Sequence, residues 1–103
     1  MRFFLPQDRI GGNLTVVLRR AGYFSITDRI SGKSSFTRPL SRLAHYPRFH
    51  LYIEENGENL VFNLHLDQKQ VSYEGETAHS GEYEDSGVRT EAERLNTILQ
   101  TKV

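Results

Sequence analysis

The strongest constraint on this chain is a double alternation between residues 49 and 67. Two runs of alternating apolar and polar residues flank Glu55-Asn56-Gly57-Glu58. Period-two alternation is the signature of a strand buried on one face, and Asn-Gly favours a two-residue hairpin turn. Pairing Glu55 with Glu58 sets Ile53 opposite Leu60, Leu51 opposite Phe62 and Phe49 opposite Leu64. One face of the hairpin then carries Phe49, Leu51, Ile53, Leu60, Phe62, Leu64 and Leu66. A slip of one residue would set Leu51 against Asn63 and break that face, so the pattern fixes which residues point inward.

The rest of the chain assembles around this hairpin. Leu14, Val17, Leu18 and Ala21 fall at i, i+3, i+4 and i+7, with Asn13 able to cap the start and Gly22 able to stop the helix. Residues 23–30 and 33–38, joined through Ser31-Gly32, read as a first hairpin. Pro39 ends it, and 40–47 is a connector holding His45 and Tyr46. Residues 68–86 are rich in Glu, Gly, Ser and Tyr and read as a long polar loop. A last helix is expected from a capping-box pattern of Thr90 and Glu93, with Ala92, Leu95, Ile98 and Leu99 as its apolar stripe.

The expected fold is therefore a single α+β domain over 1–103, in the order α-β-β-β-β-α. Its four-stranded, mainly antiparallel sheet is made of two hairpins, with an N-terminal and a C-terminal helix packed on one face. Two helices cover only one side of such a sheet. The other side is left to solvent, to the long loop or to a partner.

The side of the hairpin opposite the apolar face is where chemistry is expected. It carries Arg48, His50, Tyr52, Glu54, Val61, Asn63, His65 and Asp67, with His50 expected across from Asn63. The loop adds His79, Glu82, Tyr83 and Glu84. The binding candidates are Arg48, His50, Tyr52, Asn63, His65, Asp67, His79 and Tyr83. His50, His65, Asp67 and His79 offer the nitrogen and oxygen donors that zinc, manganese or iron accept, but no compact metal motif accompanies them. No cofactor is expected beyond such a divalent metal. Without metal, His50 and His65 are the candidate general acid and base of a phosphodiester hydrolase, with Arg48 facing the anionic charge. The same residues also make an ordinary polar strand surface.

Charge is unevenly distributed along the chain. Residues 1–48 carry nine basic and two acidic side chains, a net +7, and residues 49–103 carry four basic and eleven acidic, a net −7. The arginine-rich half suits an anionic partner such as RNA, and tyrosines on a sheet suit base stacking. Segments of opposite charge also suit a reciprocal homodimer. There is no cysteine, which removes disulfides and thiolate ligands and fits a cytoplasmic setting. The apolar start is too short for a secretory signal or a membrane span. These features favour a non-enzymatic module binding protein or RNA through the polar sheet face and the loop, with a hydrolase or ribonuclease as the alternative.

The run Leu18-Arg-Arg-Ala-Gly-Tyr-Phe24 resembles the opening of HicA-type toxin domains, which cleave RNA on a double-stranded-RNA-binding-like fold. In that family the catalytic histidine follows a Gly-Ser pair on the next strand. The comparable stretch here, Gly32-Lys33-Ser34-Ser35-Phe36, contains no histidine, so the resemblance does not bring the activity with it.

Overall fold

The computed structural model describes residues 1–68 and 80–102, with side chains described over 1–68 and 87–102. Strand β1 (Arg2–Pro6) is followed by a short 3-10 turn, helix α1 (Leu14–Arg20), strands β2 (Phe24–Thr27), β3 (Ser34–Pro39), β4 (Arg48–Asn56) and β5 (Asn59–Asp67), and helix α2 (Ser80–Gln100). The strands form one antiparallel sheet in the order β1-β5-β4-β3-β2. The α+β class is as expected, but the sheet has five strands rather than four.

The additional strand is β1, which pairs along β5 with Phe3 opposite Phe62 and Leu5 opposite Leu60. The Phe3 and Phe62 rings stack with centroids 4.9 Å apart. Its sequence, Arg-Phe-Phe-Leu-Pro, has no alternation to announce a strand. It becomes one because β5 offers a free edge, and Pro6 is tolerated there because only one side of an edge strand is paired.

The central hairpin forms with its faces as expected and its register displaced by two residues. Ile53 pairs with Phe62, Leu51 with Leu64, Phe49 with Leu66 and His50 with His65; Asn63, expected across from His50, lies across from Tyr52. The turn residues explain the displacement. Gly57 takes φ 63° and Glu58 stays out of positive φ, so the two central turn positions are Gly57-Glu58, with glycine first as in a type II′ turn. A shift of two preserves which side chains face inward, because the pleat has period two.

Helix α1 starts where Asn13 accepts a hydrogen bond from the Val16 amide and ends at the expected glycine. The Tyr23 amide bonds the Leu18 carbonyl and the Gly22 amide bonds the Arg19 carbonyl, with Gly22 at φ 98°. This is a Schellman stop, which turns the chain back and brings Tyr23 against Leu18. Both are buried in the core with Val17 and Ala21, the sheet residues Leu5, Phe49, Leu51, Leu60, Phe62 and Leu64, and Val88, Ala92, Leu95 and Leu99 of α2. Helix α2 begins at Ser80, so Thr90 lies inside it rather than at its cap. The part of the expected 68–86 loop from Ser80 onward is helical; 69–79 lies outside the described residues. Both helices contribute to the core on the same sheet face.

A polar node closes that core. Tyr23 is 1% exposed and its hydroxyl donates to Glu91 at 2.6 Å. Arg94 donates to both Glu91 oxygens at 2.8 and 2.9 Å and to the Ala21 carbonyl at 2.6 Å, and Arg38 of β3 lies 3.5 Å from the same carboxylate. Burial alone would raise the Glu91 carboxyl. The hydrogen bonds from Arg94 and Tyr23 and the charge of Arg38 outweigh it and hold the group below the usual carboxylate range. Burial first, then the bond to Glu91, pushes the Tyr23 phenol well above its ordinary value.

Candidate functional site: the open face of the sheet

With both helices on one side, the opposite face of the sheet carries the alternate residues of each strand. By register these include Arg2 and Phe4 on β1, Val61, Asn63, His65 and Asp67 on β5, Arg48, His50, Tyr52 and Glu54 on β4, Ser35 and Thr37 on β3, and Phe24 and Ile26 on β2, with Val61 buried. Phe4, Phe24 and Tyr52 are exposed there. A cleft of about 830 Å³ opens on this side, lined among others by Ile26, Thr27, Lys33, Ser35, His50, Tyr52, Asn63 and His65. That is within the size range of small-molecule and peptide-side-chain pockets.

A line of hydrogen bonds crosses three strands beside the cleft. Ser35 Oγ lies 2.8 Å from His50 Nε2, and His50 Nδ1 lies 3.1 Å from Asp67 Oδ2. Arg48 Nε reaches the same Asp67 oxygen at 3.4 Å. A carboxylate has no proton to give, so Nδ1 carries the imidazole proton and Nε2 is left to accept from the Ser35 hydroxyl. Burial lowers the His50 pKa, while the hydrogen bond and charge of Asp67 pull it upward and lose. The neutral imidazole is thus the resting form at neutral pH. Tyr52 stacks on His50 with centroids 4.4 Å apart and meets His65 edge-on at 5.9 Å, so the His50 ring is held on its face as well as at both nitrogens. Burial raises the Tyr52 phenol, with Asp67 adding to it.

The structure therefore brings together Arg48, His50, Tyr52, Asn63, His65 and Asp67. His79 lies outside the described residues, and Tyr83 is on α2, where its side chain is not described. His50 and His65 are cross-strand partners, but both ring nitrogens of His50 are engaged by Ser35 and Asp67. Among the described residues no group of three His, Cys, Asp or Glu side chains is arranged to hold a metal ion. Ser35 is the residue that sequence reasoning missed. The alternation of β3 sets Ser35 and Thr37 on one face, but only the pairing of β3 with β4 puts that face beside His50.

Among the described residues no helix is long and apolar enough to cross a membrane. Comparison with known proteins gives no match: no family model, no curated protein and no solved structure aligns with this chain.

Proposed function

We propose that this domain is a binding module that receives a segment of a partner protein on its open sheet face. The observation that carries this reading is the cleft of about 830 Å³ on the side of the sheet away from the helices, with exposed Phe24 and Tyr52 on the same face. Partly exposed aromatic rings beside a concave polar surface are the usual anchors of protein interfaces. Charge favours protein over RNA at this place. The cleft is lined by Lys33 but also by Asp28 and Glu54, and a phosphate backbone would meet that mixture of signs with no net attraction.

Selection from a random peptide library displayed on phage, with the full chain as bait, tests the proposal. Enriched peptides are expected to bind the native chain and to lose at least tenfold in affinity against Tyr52→Ala, whose ring is exposed and supports no core contact. No enrichment, or equal binding to Tyr52→Ala, would count against the reading. A single-stranded RNA oligonucleotide serves as the second probe, and tight binding that weakens steeply with salt would transfer the face to RNA.

A further inference from the structure

We infer that Ser35, His50 and Asp67 form a nucleophilic site in the open-face cleft, able to take an acyl group from a carboxylic ester onto Ser35 and pass it to water. The inference rests on the same cleft as the binding reading but adds chemistry to it. Three requirements of an activated serine are met in named atoms: a nucleophile hydrogen-bonded to a base at 2.8 Å, a base oriented at 3.1 Å by a carboxylate, and an adjoining cavity large enough for a substrate. The orienting carboxylate is itself braced by Arg48, so Asp67 acts as a positioning residue. Ser35 is only 8% exposed, yet it lines the cleft.

The alternative use of His50 and His65 as an acid and base pair is less well supported, because neither His50 nitrogen is left over for His65. In the proposed sequence, Ser35 Oγ attacks the ester carbonyl carbon while its proton passes to His50 Nε2. The imidazolium so formed lies against Asp67. The bond between the carbonyl carbon and the alkoxy oxygen then breaks, and the leaving alcohol takes the proton from Nε2. A water molecule next gives a proton to Nε2 as its oxygen attacks the acyl carbon. The acyl bond to Oγ breaks, and Ser35 recovers its proton. Lys33, Tyr52 and Asn63 are among the side-chain donors that line the cleft where an oxyanion would develop. Ile26 is the cross-strand partner of Ser35 and also lines the cleft, so the acyl portion next to the nucleophile meets an apolar wall. The matching substrate class is an ester of a short aliphatic acid.

The test uses the full chain with p-nitrophenyl butyrate as substrate and an alkyl fluorophosphonate as trap, which transfers its phosphonyl group to a nucleophilic oxygen with loss of fluoride. Peptide mapping of the native protein is expected to find the phosphonyl group on Ser35. Nitrophenol release is expected to vanish in Ser35→Ala and to fall about a hundredfold or more in His50→Gln. In the native chain the rate should drop as acid protonates His50, whose charged and titratable neighbours are Arg48 and Tyr52 on β4 and His65 and Asp67 on β5. Asp67→Asn should shift that pH profile as well as lower the rate. Absence of label from Ser35 in the native protein overturns the inference without need of any variant that might misfold, and so does unchanged release by Ser35→Ala. Labelling of Ser35 without peptide selection would defeat the binding reading alone, and peptide selection without labelling would defeat this one alone.

Discussion

Replacing Glu91 with alanine should unfold this domain more readily than any other single change to a charged residue in its core. The carboxylate is 5% exposed and serves Tyr23, Arg94 and Arg38 together. Its loss leaves the Tyr23 hydroxyl buried without that acceptor, a cost of about 1–3 kcal/mol. Breaking a fully buried ion pair costs about 3–5 kcal/mol, but the Arg94 and Arg38 side chains are 34% and 32% exposed and can turn to water, which removes most of that term. The net expectation is a loss of about 2–4 kcal/mol, equivalent to a fall in melting temperature of roughly 10–20 °C for a domain of this size. Urea denaturation measures it as a lower midpoint at unchanged slope. Tyr23→Phe alone should cost about 1 kcal/mol, because Glu91 keeps Arg94, and the double variant should cost about 1–2 kcal/mol less than the sum of the two. Because the Glu91 pKa is depressed in the folded state, its contribution is complete above the unfolded-state value of about 4.3 and is lost as pH falls through the lower folded value. Glu91→Gln should flatten that acid limb. A Glu91→Ala protein within about 0.5 kcal/mol of the native one, the scatter of ordinary surface changes, would refute the claim that this node closes the core.

Two further perturbations probe the open face and the edge strand. The His50 pKa is lowered on folding, so the unfolded chain binds the extra proton first. Stability should therefore fall as pH drops below about 6.5, and His50→Gln should remove that part of the titration. Leu5→Ala should cost about 2–4 kcal/mol by the usual scale for buried leucine, measured by urea denaturation, since Leu5 is buried in the core; a negligible change would mean β1 does not dock on β5 in solution.

How much of this was legible in the sequence follows from the range of the interactions. The inward faces of β4 and β5 were readable because alternation is local, and α1 was readable because its cap at Asn13 and its stop at Gly22 are local too. The register was not, since one residue decides it: the positive φ of Gly57 puts glycine first in the turn. Strand β1 was hidden because residues 1–6 are ordered by β5, some sixty positions away in the chain. The polar cluster of Arg48, His50, Tyr52 and Asp67 could be drawn from parity alone. Ser35 could not, because a serine in a strand is commonplace until the neighbouring strand is known to carry a histidine and the next one a carboxylate.

The central claim is that the open sheet face is where this protein meets its ligand. A backbone-amide NMR titration of the full chain with a selected peptide tests it most directly. Saturable shifts confined to the strand positions around Ile26, Ser35, His50, Tyr52 and Asn63 are the predicted result. Shifts concentrated on the exposed sides of α1 and α2, with the open face unchanged, would contradict it.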